Sequence, residues 1–203
     1  MINFLLKKQI KLLVIACNTI TVSCLDELRK DYPSLPIVGI IPVIKTAAKL
    51  SENKKIGIFS TLLTANSSYQ KDLIQKFAKD VSVLNQGSST LVSSIEKLDF
   101  EAIDRALQKE LEPFRQSNID TLALGCSHFP LIKDKIQKYL PGVLILDSSE
   151  AVSRQVERIL THEDLLSKLK TSGYNFYTTG DLKVLDYFTK KLTKKDKTNR
   201  ISL

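Results

Sequence analysis

The chain has 203 residues, is 43% hydrophobic and 26% charged, and carries a formal net charge of +8 at pH 7. That length supplies one large or two small α/β units with a real core, and the composition is that of an ordinary globular protein. No run approaches the ~20 apolar residues that a membrane-spanning helix needs, and three cysteines, an odd count, argue against a disulfide framework and for a reducing, cytoplasmic setting.

The opening stretch MINFLLKKQIKLLVIAC has the apolar and basic flavour of a secretion signal. Lys7, Lys8 and Lys11 interrupt it, however, and strand-like residues follow directly, so it reads as part of the fold. Strands are expected at 11–16, 36–39, 55–60, 81–86, 121–124, 143–147 and 174–178. Helical patterns separate them. Phe100, Ile103, Leu107, Leu111 and Phe114 recur at helical spacing, and Pro130 opens a helix that Pro141-Gly142 stops near Leu140. Continuous Leu/Val/Ile strands alternating with helices indicate parallel sheets covered on both faces. Near the end, Lys183, Lys190, Lys191, Lys194, Lys195, Lys197 and Arg200 crowd against Asp181, Asp186 and Asp196. With no aromatic interleaving, this charge reads as a solvated helix face and a frayed tail, not a nucleic-acid surface.

The sharpest features are Cys17, in LLVIACNT, and Cys126, in TLALGCSHFP. Each ends an apolar run, follows a small residue and precedes a helical pattern, the first one at 22–28. Ligands of open α/β sheets bind beyond the C-terminal ends of strands. One thiol at each of two strand ends therefore suggests two opposed acid/base groups facing one pocket. That suits a reaction in which a proton leaves one face of a carbon and returns to the other. A following helix N-terminus would favour thiolate and a bound carboxylate. Asn18 and Thr19 flank the first thiol; Ser127 and His128 flank the second, and an imidazole relays protons near neutral pH. Cys126-x-His128 lacks a second pair at ligand spacing, so no metal is expected. Cys24 reads as structural and His162 as exposed.

LLVIACNT and TLALGCSHFPLI closely resemble the two cysteine motifs of glutamate racemases, in the aspartate/glutamate racemase superfamily. The likeness continues in GIIPVIKTA, KKIGIFSTLLT, TLVSSIEKL, LILDSSEAV and FYTTGD, and covers residues 2 to 192. It implies an α/β fold of two pseudo-symmetric lobes with mostly parallel sheets flanked by helices and the active site in the cleft. Residues 1–40 with 148–203 would form the first lobe and 41–147 the second, crossing at 39–42 and 147–149. It implies cofactor-independent interconversion of L- and D-glutamate, supplying D-glutamate for peptidoglycan and so for cell-wall biogenesis and cell shape, in a cytoplasmic enzyme that forms a homodimer. Cys17 and Cys126 would exchange the α-proton and His128 would assist Cys126. Asn18, Thr19, Thr61, Thr64 and Ser127 would hold substrate, and Glu96 matches a lid-region carboxylate.

The sequence departs from the pattern in places. Ser60 stands where a glycine is usual, and Ser88 and Ser89 replace a Cys-Pro pair. The family's N-terminal Asp-Ser-Gly turn and Pro-Tyr-Gly segment have no counterpart, so the first lobe is expected to lack an initial strand and helix and to expose apolar sheet surface. Two alternatives stand beside the racemase: a non-catalytic racemase-like fragment acting through a partner, and a racemase of aspartate or another amino acid.

Overall fold

Short apolar runs too regular for loops and too short for buried helices set the architecture. In the computed structural model, which describes residues 1–168, 173–190 and 197–202, all seven expected strands form. The chain opens with α1 (Ile2–Leu6), β1 (Leu13–Ile15), α2 (Asn18–Asp31), β2 (Ile37–Gly39) and α3 (Ile44–Leu50). It continues through β3 (Lys55–Thr61), α4 (Leu62–Asn66), α5 (Ser68–Phe77), β4 (Ser82–Ser88), α6 (Leu91–Glu96), α7 (Phe100–Glu110) and α8 (Glu112–Gln116). After β5 (Thr121–Gly125) come a 3-10 turn (Phe129–Ile132), α9 (Lys133–Tyr139), β6 (Leu144–Leu146) and α10 (Ser149–His162). The described chain closes with β7 (Asn175–Thr178), α11 (Leu182–Thr189) and β8 (Lys197–Arg200).

Among the described residues the strands pair in parallel, as a β1-β2 sheet, a four-stranded β4-β3-β5-β6 sheet and a β7-β8 sheet. β5 lies inside the largest sheet and every one of its residues is buried, as expected of a parallel strand with helices on both faces. On one face Phe59 meets Phe114 edge-on at 5.7 Å between ring centroids and Phe129 at 4.7 Å; all three are fully buried. On the other face Ile56, Ile58 and Ala123 pack against Ile44 and Ala47 of α3. In the smaller sheet Leu13 and Ile15 pack with Leu25 and Leu28 of α2, whereas Val14 is 37% exposed. Among the described residues no helix is long and apolar enough to cross a membrane.

The structure corrects four local expectations. The helix after Cys17 begins at Asn18, not at 22, because tertiary packing overrides the low helix propensity of Thr19, Ile20 and Thr21. The apolar stripe from Phe100 to Phe114 is split into α7 and α8 at Leu111, where Pro113 lacks the N–H that would continue the ladder. The helix expected from Pro130 is a 3-10 turn followed by α9, with Ile132 outside the α region between them (φ −119°, ψ 20°). The stop at Gly142 holds, with φ +79°. Finally, the expected frayed tail contains β8, paired with β7 and anchored by Thr198 Oγ1 donating to Asp186 Oδ1 at 2.6 Å. A strand this polar carries no apolar alternation to announce it. Lys191, Lys194, Lys195 and Asp196 lie outside the described residues.

One carboxylate ties the loop before β3 to the start of β5. Asp120 Oδ2 accepts the backbone N–H groups of Glu52 and Asn53, each at 2.7 Å, and its Oδ1 accepts Thr121 Oγ1 at 2.9 Å. Burial acts to raise the carboxyl, but the hydrogen bonds from Asn53, Ser51, Thr121 and Glu52 together outweigh it and hold the pKa below the ordinary aspartate value. The stability it contributes is therefore complete above the unfolded-state aspartate pKa and is lost as pH falls through the lowered folded-state value. Asp120→Asn is expected to flatten the acid limb of stability against pH; urea midpoints from pH 2 to 7 check it, and an unchanged limb would refute the assignment. Phe59→Ala is expected to cost about 3–5 kcal/mol in urea unfolding, the usual range for a buried phenylalanine.

Candidate active site

Two strand ends carry the cysteines. Cys17 follows β1 and is the N-cap of α2, with extended backbone (φ −145°, ψ 116°) and its carbonyl accepting Thr21 N–H at 2.9 Å. Its side chain is half-buried. Asn18 opens α2 and is 2% exposed, and its Nδ2 is buried without a hydrogen-bond partner among the described residues. A buried donor left unmatched costs about 1–3 kcal/mol, which marks this amide as a group that a ligand oxygen would satisfy.

One residue on, Thr19 ties α2 to the end of β3 and the start of α4. Its Oγ1 lies 2.9 Å from Thr61 Oγ1 and 3.0 Å from Thr64 Oγ1, and those two are 3.0 Å apart. Thr61 ends β3 and caps α4, accepting Thr64 N–H at 3.2 Å. Three hydroxyls in a triangle can circulate their protons or turn one outward. An open cavity of about 560 Å³ adjoins them, lined by Leu62, Asn66, Ser88 and Val92.

Cys126 stands where β5 ends. The register that sets Ser60 beside Gly125 carries the next residues, Thr61 and Cys126, to the same edge of the sheet. Gly125 is needed there: a Cβ would come within 2.8 Å of Ser60 Cβ and 3.0 Å of Pro42 Cγ. Cys126 is 6% exposed, and its thiol pKa is raised. Burial is the main cause; the backbone N–H groups of His128 and Phe129 pull the other way, and the charges of Cys17 and Glu96 push it up again. The expected helix-assisted thiolate is thus corrected at this position: only a short 3-10 turn follows, α9 starts later, and desolvation wins.

The buried thiol connects to solvent through two side chains. His128 Nδ1 is 3.9 Å from Cys126 Sγ, and Nε2 is 3.0 Å from Glu96 Oε1. Glu96 accepts from Nε2–H, which in a neutral ring leaves Nδ1 facing the sulfur as an acceptor. A cavity of about 520 Å³ with Leu131, Asp181 and Phe188 in its walls opens beside this pair. Ser127 is half-buried in the turn between Cys126 and His128.

The structure therefore gathers Thr19, Thr61 and Thr64 in one cluster and Cys126 and His128 in another, with Cys17 close enough for its charge to act on Cys126. Sequence reasoning placed Glu96 only in a lid and missed its bond to His128, because no local signal at the end of α6 points to a partner 32 residues away. Cys24 is half-buried within α2, and His162 is exposed beside Glu163 at 3.0 Å. All three cysteines are free. Among the described residues no cluster of His, Cys, Asp or Glu is placed to hold a metal ion.

This arrangement is matched by known proteins. The sequence model of the Asp/Glu/hydantoin racemase family matches residues 1–156. A glutamate racemase of Pseudomonas paraeruginosa is 37% identical over 180 residues, 87% of this chain and 68% of that protein. The chain spans 62 to 69% of the length of such curated relatives. Its fold superposes on the crystal structure of glutamate racemase isoform RacE1 from Bacillus anthracis with a TM-score of 0.85 at 28% identity, covering 100% of this chain and 78% of that one. It also superposes on Escherichia coli glutamate racemase, solved with L-glutamate and the activator UDP-MurNAc-Ala, with a TM-score of 0.83 at 30% identity over 98% of this chain and 77% of that one. By sequence and by fold, the chain belongs to the Asp/Glu/hydantoin racemase family, and the relatives it matches are glutamate racemases.

Proposed function

We propose that the chain is a glutamate racemase that passes the α-proton between Cys17 and Cys126 without a cofactor. The observation that carries this is a pair of free thiols, one at the end of β1 and one at the end of β5, with the charge of Cys17 acting to raise the Cys126 pKa. Mutual repulsion disfavours two thiolates and so favours one thiolate and one thiol, the pairing a two-base reaction requires. Cys17, as thiolate, takes the proton from Cα. Cys126, buried and protonated at neutral pH, delivers its proton to the opposite face. After one turnover Cys17 is the thiol and Cys126 the thiolate, and the reverse reaction runs the same steps backward. His128 stands where it can take or return the Cys126 proton, with Glu96 holding the imidazole.

The substrate needs two carboxylates and an ammonium group matched. Asn18 Nδ2 offers a buried donor, Thr19, Thr61 and Thr64 offer hydroxyls that switch between donor and acceptor, and Ser127 adds one beside the second thiol. Glutamate is the substrate of choice because the relatives are glutamate racemases. In this proposal residues 1–40 with 148–203 form one lobe and 41–147 the other, the site lies between them, and the enzyme works in the cytoplasm to supply D-glutamate for peptidoglycan.

The test follows deuterium exchange at Cα of L-glutamate in heavy water together with loss of optical rotation. Cys17→Ser and Cys126→Ser are each expected to slow racemisation by about 10²–10⁴-fold, the range that a positioned acid or base contributes. Near-normal racemisation by Cys126→Ser would overturn the two-thiol mechanism. A second measurement reads the electrostatics directly. Alkylation of Cys126 by iodoacetamide, followed by mass spectrometry across a pH series, is expected to have its midpoint above the ordinary cysteine pKa of about 8.5. In Cys17→Ser the midpoint is expected to fall, because the neighbouring charge that disfavours the Cys126 thiolate is gone. An upward or absent shift would show that the two thiols do not interact.

A further inference from the structure

Glu110, the last residue of α7, is a half-buried carboxylate that the cysteine chemistry does not use. Burial raises its pKa above the ordinary glutamate value; the Ser88 and Thr90 hydroxyls and the Lys109 charge act against that rise without cancelling it. Its Oε2 is buried and meets no donor at hydrogen-bonding geometry among the described residues. An apolar side chain would avoid that penalty. What the carboxyl supplies in return is a hold on one turn.

The turn joins β4 to α6. Thr90 Oγ1 donates to Glu110 Oε1 at 3.4 Å, and the Ser88 hydroxyl lies close enough to act on the same carboxyl. Ser88 is buried, and its Oγ accepts the N–H groups of Thr90 at 3.3 Å and Leu91 at 3.0 Å. With both backbone donors on its oxygen, its own proton is left for the carboxyl. Ser88-Ser89-Thr90 holds no proline to fix its backbone, so side-chain hydrogen bonds set its path. From β4, Gln86 Nε2 donates to the Glu110 carbonyl at 3.1 Å and pins the end of α7 to the sheet.

The same turn touches both clusters of the candidate site. Ser88 pairs in register with Thr61 and lines the cavity beside the threonine triangle. α6, which follows the turn, is six residues long, and its Leu91 and Ile95 are buried in the core with Ile103 and Leu107 of α7. A helix so short and so packed moves as a rod, and its last residue, Glu96, holds His128 Nε2 at 3.0 Å. We propose that Glu110 is a positioning residue: by clasping the turn at Ser88 and Thr90 to the end of α7, it sets the angle of α6 and, through Glu96, the aim of His128 at Cys126. The effect on turnover rests on the racemase reading; the clasp itself does not.

The experiment compares the wild type with Glu110→Leu, which removes the acceptor, Glu110→Gln, which keeps one carbonyl oxygen, and Thr90→Val. Thr90 is exposed, so Thr90→Val tests the clasp even where Glu110→Leu does not fold. Amide hydrogen exchange over residues 89–96 is expected to quicken by about three- to tenfold in Glu110→Leu and Thr90→Val, to stay unchanged over β5, and to return toward wild type in Glu110→Gln. Unchanged exchange would overturn the clasp. The His128 ring signals in nitrogen-proton spectra are expected to shift in Glu110→Leu and Thr90→Val and not in Glu110→Gln; unmoved signals would overturn action on His128 whether or not the chain racemises. In racemisation, Glu110→Leu and Thr90→Val are expected to lower kcat by about 5–10-fold with KM held within about twofold, and Glu110→Gln to restore it. The kcat loss should largely vanish when either variant is made in a Glu96→Gln background, because residues acting through one bond are not additive. Additive losses, or a fall confined to KM, would overturn action through Glu96. A wild-type chain without racemase activity would refute the functional reading, and the exchange and ring signals would still judge the clasp.

Discussion

The pairing of β3 with β5 is the constraint on which the site depends. Parallel strands bring equivalent ends to one edge, so a register of Ser60 against Gly125 delivers Thr61 and Cys126 together at the C-terminal edge of the sheet. A one-residue slip would turn every side chain of one strand to the opposite face. Packing opposes that slip: Ile56, Ile58, Leu122 and Leu124 all lie in the core, and a side chain brought to the place of Gly57 would overlap Leu122 and Phe114. Gly125 then lets the two backbones close on Pro42 and Ser60 without a Cβ between them. The same packing that stabilises the sheet therefore fixes the position of the thiol.

Burial also sets the chemistry of that thiol. A cysteine at the end of a buried strand is desolvated, which keeps it protonated, and the two backbone N–H groups aimed at Sγ soften the effect without reversing it. A group that must donate a proton in one half of a reaction and accept it in the other cannot be locked in either state. In the proposed mechanism the neighbouring imidazole supplies the remaining flexibility. His128 touches the buried sulfur on one side and an exposed carboxylate on the other, so a proton has a route between the interior and solvent that does not require the thiol itself to be wet.

Much of this was legible in the sequence because parallel β/α units announce themselves locally. Short apolar runs bounded by polar or Pro-Gly stops gave all seven strands through β7, and the two cysteines stood out because each follows such a run. What could not be read depends on long-range contact. Glu96 and His128 are 32 residues apart, and nothing in the local pattern of α6 marks its last residue as an imidazole partner. The triangle of threonine hydroxyls links positions 42 and 45 residues apart, so the family resemblance could name the residues but not their mutual bonds. β8 was missed for the opposite reason: its Lys-Thr-Asn-Arg sequence has no apolar face, and only its pairing with β7 makes it a strand.

The threonine triangle and the Asn18 amide pose one energetic question together. Thr19, Thr61 and Thr64 satisfy one another, while Asn18 Nδ2 is buried without a partner among the described residues. A fully self-satisfied site would resist a ligand, because each new bond would replace an old one at little net gain. A fully unsatisfied one would destabilise the fold by several buried orphans. Combining the two confines the cost to one donor of about 1–3 kcal/mol and leaves three hydroxyls able to rotate toward an incoming oxygen or ammonium group. A carboxylate placed on Asn18 would recover that cost through a charge-assisted bond, stronger than the neutral hydroxyl contacts around it. In the proposed mechanism the threonines keep the site folded and the asparagine keeps it receptive.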